Sequence, residues 1–167
     1  MLLVLFGYPG VGKSFIGKML QEEFGFYHYE ADEDLTPPIK DAIQKNSLVT
    51  EPLKEAYFKQ VCERIDSLKN LHPNIVVTQT FTKEKYRKRI LERFPEAKFI
   101  RLQADMPVIY ARLAKRDGHL VKNFYAGFAI SQFEAPTLPH WILENNGRAD
   151  KLHQQLNRML AIQRRES

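Results

Sequence analysis

An α/β fold carrying a parallel sheet is predicted by three features of this sequence. Short apolar runs alternate with longer amphipathic ones along most of the chain, the rhythm that strand-helix-strand units impose. The first run, Leu2 to Phe6, is apolar at every position, as a strand covered on both faces must be. It leads at once into a glycine-rich turn, Gly7 to Gly12, and then into helical spacing. At 167 residues, 44% hydrophobic and 27% charged, the chain has the composition of one globular domain spanning residues 1–167.

The elements follow in order. A helix is predicted from Gly12 to Phe24, where Phe15, Ile16, Met19, Leu20 and Phe24 recur at helical spacing and Gly25 stands ready to stop it. Phe26 to Glu30 reads as a second strand, and Pro37-Pro38 opens a weaker helix. From Pro52 to Leu71 the stripe Phe58, Val61, Cys62, Ile65 and Leu68 marks a long amphipathic helix. Ile75 to Thr78 is the third strand, Lys83 to Phe94 a basic helix and Ala97 to Leu102 the fourth strand. Asp105 is placed to cap the next helix, with Pro107 in its first turn and Ile109 and Leu113 facing inward. From Arg116 to Pro139 the alternation lapses in a basic, aromatic segment, read as a lid excursion over about 116–139. Trp141 to Leu143 is a short fifth strand, and Leu152, Leu156 and Leu160 mark a closing helix.

Composition removes several function classes. No apolar run approaches the roughly 20 residues of a membrane-spanning helix. Met1 enters the first strand without a basic flank, so no secretory leader is expected and the chain is expected to be cytoplasmic. One cysteine, Cys62, allows neither an intramolecular disulfide nor a cysteine-based zinc site and reads as a small buried hydrophobe. His28, His72, His140 and His153 show no ligand spacing. The formal net charge is +5, and Lys83 to Lys122 holds 12 Lys and Arg against five acids. Such a stretch is either a solvated helix face or a surface for phosphate-bearing partners. Beside the motif described next, it is assigned to phosphate binding.

Gly7-Tyr8-Pro9-Gly10-Val11-Gly12-Lys13-Ser14 fits G-x-x-x-x-G-K-[ST] in full, after a strand and at the start of a helix. Glycines let successive N–H groups turn inward around phosphate oxygens, and the positive end of the helix faces the anion. Lys13 is placed to reach the outer phosphates and the Ser14 hydroxyl to ligate the accompanying magnesium ion. No guanine-selecting Asn-Lys-x-Asp occurs, which removes the GTPases. Phosphoryl transfer also needs a carboxylate for the acceptor hydroxyl and cations for the moving group. The second strand ends Glu30-Ala31-Asp32, at the sheet edge where ligands of parallel sheets sit. Asp32 is the candidate base and Glu30 a support for the metal. Arg112 and Arg116, four apart on one helix face, are candidate phosphate ligands at the entry to the lid.

Three further stretches carry a family resemblance. They are Ile75-Val76-Val77-Thr78-Gln79-Thr80-Phe81-Thr82-Lys83-Glu84-Lys85-Tyr86-Arg87, Arg112-Leu113-x-x-Arg116-x-Gly118-His119, and Ser131-Gln132-Phe133-Glu134. With the phosphate loop and Glu30-Ala31-Asp32, the chain resembles the bacterial gluconate kinases, within the small P-loop kinases that include shikimate kinases. The resemblance covers most of residues 1–135. It implies a P-loop NTPase three-layer sandwich with a five-stranded parallel sheet in the order 2-3-1-4-5 and a helical lid. It also implies ATP, magnesium (Mg2+) and phosphorylation of a hydroxyl on a small polar metabolite, a sugar acid or related carbohydrate. Carried over by position, Lys13 and Arg116 would stabilise the moving phosphoryl group and Asp32 would handle the acceptor hydroxyl. Lys83, Arg87, His119 and Gln132 would lie near acceptor or phosphates. Gly7, Pro9, Gly10, Val11, Gly12, Lys13, Ser14 and Phe15, with Arg112 and Arg116, would hold the nucleotide, and Ser14 and Glu30 the metal.

The chain departs from that family on the acceptor side. Leu35-Thr36-Pro37-Pro38 and Asn46-Ser47-Leu48-Val49 replace its His-Pro and Gly-x-Pro-Leu elements, and Gln79-Thr80-Phe81 replaces small residues after the third strand. Two other readings stay open: a nucleotide or nucleic-acid phosphotransferase, favoured by the basic and aromatic residues, and a non-catalytic ATP-binding switch. The expected partner is a small molecule; nucleic acid and membrane are not expected, and a homodimer is left open.

Overall fold

The computed structural model describes residues 1–115 and 120–166, so the expectations for Arg116 and His119 lie outside the described residues. Strands β1 (Leu2–Phe6), β2 (Tyr27–Glu30), β3 (Ile75–Thr78), β4 (Lys98–Gln103) and β5 (Trp141–Glu144) form one sheet. Its order is β2-β3-β1-β4-β5 and every pairing is parallel, the order expected above. Helices α1 (Lys13–Phe24), α2 (Pro37–Gln44), α3 (Glu51–Lys69), α4 (Glu84–Arg93), α5 (Met106–Lys115), α6 (Leu120–Ser131) and α7 (Ala149–Glu166) complete the described chain.

Strand β1 lies mid-sheet, and its side chains alternate between two layers. Leu2, Val4 and Phe6 pack with Phe58, Val61 and Ile65 of α3 and Ile90 of α4. Leu3 and Leu5 pack with Ile16 and Leu20 of α1, Ile109 of α5, and Leu152 and Leu156 of α7. Helices therefore cover both faces of the sheet in a three-layer sandwich. Since β1 is buried on both sides, all five of its residues are apolar. The carboxyl ends of β1, β2 and β3 open at one edge, where the glycine-rich turn, Glu30 and Gln79 follow directly.

Two points go beyond what spacing alone predicts. Within the segment where the strand-helix rhythm lapses there is a regular helix, α6, in agreement with the helical lid that the resemblance implies. Its sequence mixes aromatic, alanine and glycine residues with one charge, so it lacks the polar face that makes a helical stripe visible. The basic helix α4 is the second, and a correction. Lys85 lies 2.6 Å from Glu51 and 2.9 Å from Glu55, Arg89 pairs with Glu55, and Arg93 with Asp66. These basic residues face the acids of α3, not a phosphate ligand, and hydrogen bonds led by Lys85 hold Glu51 down to about 2. Cys62 is buried among the α3 core residues and burial raises its thiol, as a structural role requires. Among the described residues no helix is long and apolar enough to cross a membrane.

One close approach holds α1 to the sheet. A Cβ at Gly17 would stand 2.3 Å from His28 Nε2, which itself lies 2.9 Å from the Thr78 hydroxyl. Replacing a helical glycine by alanine ordinarily stabilises by up to about 1 kcal/mol. Here Gly17→Ala should instead cost about 1–3 kcal/mol in urea unfolding, because the ring of His28 must move. Burial also lowers the His28 pKa from its usual 6.5, so the unfolded chain takes up this proton before the folded one. Stability should accordingly fall as pH drops below about 6.5, and a His28→Gln variant should lose less of it over that range.

Candidate active site

The turn between β1 and α1 cannot be built by other residues. Gly12 has φ 101° and ends the turn as the residue before α1, a left-handed conformation cheap only for glycine. It also lies against Asn145, whose Nδ2 would be 2.3 Å from any added Cβ. The first turn of α1 contains no acid, so no side-chain carboxylate there offsets the positive end of the helix dipole. Lys13 Nζ donates to the Gly7 and Tyr8 carbonyls at 3.1 and 3.0 Å and so curls over the loop. Phe15 exposes its ring to solvent; what it can offer a phosphate is its backbone N–H in that first turn.

Two residues far away in sequence brace the loop from behind. Asn145, just beyond β5, donates from Nδ2 to the Val11 carbonyl at 3.0 Å. Arg112 of α5 donates to the same carbonyl at 3.2 Å and to the Asn145 carbonyl at 2.9 Å. Arg112 was expected to hold the nucleotide; the contacts described here make it a brace of the loop backbone.

In front of the loop, Ser14 Oγ donates to Glu30 Oε1. Both line a cavity of about 260 Å³ with Gly10, Gly12, Lys13, Asp32 and Thr78. The donor set there is hydroxyl and carboxylate oxygen, which suits a hard ion such as magnesium. Among the described residues no group of three His, Cys, Asp or Glu could cage a metal. A magnesium ion that brings phosphates and waters as its other ligands fits this geometry.

Asp32 has an orienting partner that sequence reasoning missed. Gln79, the residue after β3, donates from Nε2 to Asp32 Oδ1 at 2.8 Å and to the Tyr57 hydroxyl at 2.6 Å. Its Oε1 accepts the Thr80 N–H at 2.6 Å, and Tyr57 in turn donates to the Ala31 carbonyl at 2.8 Å. Every donor and acceptor on the Gln79 amide is thus engaged, and the carboxylate of Asp32 is held by a side chain that cannot turn. Burial pushes the Tyr57 phenol above its usual range, so it stays a neutral hydrogen-bond partner. The only sequence signal for Gln79 is a buried amide standing at the sheet's carboxyl edge.

Other expected residues go elsewhere. Arg87 is fully buried. Its Nε lies 2.7 Å from Glu84, it donates to the Glu134 carbonyl at 2.7 Å, and its guanidinium stands 5.2 Å from the rings of both Phe6 and Phe133. Arg87 lines neither cavity at the sheet edge; its contacts clamp the chain that follows α6. Glu84 completes the clamp by accepting from Thr137 and Leu138 N–H groups at 2.8 and 2.9 Å. Lys83 points to the same place, 3.2 Å from Glu134 and 3.5 Å from Gln132, and neither Lys83 nor Gln132 lines either cavity at the sheet edge. The structure thus brings together Lys13, Ser14, Glu30 and Asp32, and sets Lys83, Arg87 and Gln132 apart.

Sheet order, phosphate loop and facing carboxylates define a small P-loop kinase fold. A family model described as an AAA domain (AAA_18) matches residues 3–135, and the chain belongs to that family. A probable gluconokinase from Xenopus tropicalis is 22% identical over 154 residues, covering 83% of this chain and 81% of that protein. An unliganded sugar kinase from Janibacter sp. HTCC2649 superposes with a TM-score of 0.82 at 22% identity, covering 96% of this chain and 94% of the other. A gluconokinase from Sinorhizobium meliloti 1021 does so at 0.77 and 21%, covering 96% and 95%.

The clamp yields a discriminating variant. Arg87→Lys keeps the buried charge but loses the fork that reaches Glu134, and should cost about 1–2 kcal/mol of stability. The Michaelis constant for the acceptor should not change. A large rise in that constant at unchanged stability would return Arg87 to the binding site.

Proposed function

We propose that the protein is an ATP-dependent kinase that moves the γ-phosphoryl group to a hydroxyl of a small metabolite in the cytoplasm. The observation that carries this reading is the single cavity edge at which the phosphate loop, the Ser14–Glu30 pair and the oriented Asp32 meet. Loop amides and the open end of α1 hold the polyphosphate, and Lys13 neutralises charge on its outer oxygens. Ser14 and Glu30 would hold a magnesium ion, which would supply further neutralisation of phosphate charge. Asp32, fixed by Gln79, accepts the proton of the acceptor hydroxyl as its oxygen bonds to the γ-phosphorus. The bond from that phosphorus to the bridging oxygen breaks and ADP leaves. Arg116 remains our candidate for stabilising the moving group, and His119 for contacting the acceptor.

The similar proteins are named for sugars and gluconate, whereas the cavity beside Asp32 is mostly apolar. The nucleic-acid reading loses its main support, since Lys85, Arg89 and Arg93 are paired with α3 acids. A non-catalytic switch would have no use for a carboxylate so held.

Asp32→Asn should lower turnover by about 100-fold or more while ATP affinity stays within about threefold. Lys13→Ala should weaken ATP binding as well as turnover. Titration calorimetry with Mg-ATP and an ADP-release assay over a panel of hydroxylated metabolites measure both; full turnover in Asp32→Asn rejects the assigned base.

A further inference from the structure

Beside the phosphate cavity, and sharing Pro9, Asp32, Gln79 and Thr80 with it, lies a second cavity of about 360 Å³. Asp32 is therefore the wall between a place for phosphates and a place for the acceptor. The second cavity is apolar over most of its surface. Leu35, Ile39 and Val49 form one wall, Phe58 and Phe81 another, and Tyr125 of α6 faces in from the lid segment. Protein interiors leave few voids larger than a water molecule, so an apolar space of this size is ligand-sized.

Its polar side chains include the carboxylate of Asp32 and the hydroxyls of Thr80, Thr82 and Tyr125, beside three groups that are already engaged. Gln79 and Tyr57 bond each other, and Lys54, the one basic residue among the described lining residues, is tied 3.1 Å from Glu51. The two cations expected to meet an acceptor, Lys83 and Arg87, face the clamp instead. A polyhydroxy acid would lay much of its polar surface against the apolar part of this lining, which disfavours its entry.

Phe81 adds an independent sign. It is buried and has φ 48°, a left-handed conformation that strains a bulky residue and persists where the surroundings impose it. Its reward is a ring set into the cavity wall, 5.5 Å from Phe58, which stacks 4.0 Å from Tyr86. The three rings are buried and back the apolar wall beside Asp32.

We propose that the acceptor is an alcohol borne on an apolar ring, a hydroxymethyl-substituted arene or heteroarene, and not a polyhydroxy acid. The ring occupies the cavity whose wall Phe81 and Phe58 back, and the hydroxyl reaches Asp32. Its oxygen takes the γ-phosphoryl group of ATP, its proton passes to the Asp32 carboxylate, and ADP departs. The inference rests on the kinase reading above.

Full-length protein with Mg-ATP, assayed by ³¹P NMR against hydroxymethyl arenes and heteroarenes, polyhydroxy acids and nucleosides, tests it. Ring alcohols should exceed polyhydroxy acids in kcat/KM by about tenfold or more. Phe81→Gly, which relieves the strained φ, should raise the ring-alcohol KM by about tenfold with ATP affinity unchanged. If that variant does not fold, Ala129→Leu, which fills the cavity from α6, should raise the same KM. A polyhydroxy acid or a nucleoside preferred by the wild type overturns the inference and leaves the kinase reading standing. No phosphoester in any arm defeats the kinase reading; calorimetry of ring alcohols on the Mg-ADP complex then decides the cavity's chemistry. Binding lost in Phe81→Gly supports it and no binding overturns it.

Discussion

One carbonyl oxygen organises the active end of this molecule. The Val11 carbonyl takes hydrogen bonds from Asn145 beyond β5 and from Arg112 on α5, which fixes the loop from behind. A phosphate loop works only if its amides are aimed before the ligand arrives, since ordering them afterwards would cost binding free energy. Gly12 must be glycine both for its φ and because Asn145 occupies the space of a side chain. The loop, the end of β5 and α5 are thus one unit, and anything that displaces β5 disturbs phosphate binding.

That dependence explains what could be read from the sequence. The loop was legible because its eight residues are contiguous and each is demanded by local geometry. Strand β1 and helices α1 and α3 were legible because their apolar periodicity is strong. Asn145, Gln79 and Tyr57 were not, since the sheet brings them together across gaps no local pattern spans. Helix α6 was obscured because its buried face and its remaining residues are alike in polarity.

The misassigned cations teach a related lesson. Net charge along a stretch says nothing of what faces it, and the positive residues of α4 are met by Glu51, Glu55 and Asp66 of α3. Arg87 shows the same at a motif position. Its spacing from Lys83 matches a family pattern, yet its side chain lies against Phe6 and Phe133 and holds the segment after α6. A buried guanidinium must find carbonyl and carboxylate partners, and Glu84 and Glu134 supply them. The pattern marks how the segment after α6 is tied to α4.

Asp32 stands where two unlike environments meet, and this has a chemical consequence. On the phosphate side it faces a cavity lined by Lys13, Ser14 and Glu30; on the other it borders Phe81, Ile39 and Tyr125. A kinase must keep water from the position beside its phosphoryl donor. An apolar lining offers water few hydrogen-bond partners, so with the acceptor absent that position is poorly suited to an attacking water. When an acceptor fills the chamber, its hydroxyl meets in Asp32 a carboxylate already oriented by Gln79. Selection of the acceptor and protection of the nucleotide are then two results of the same apolar wall.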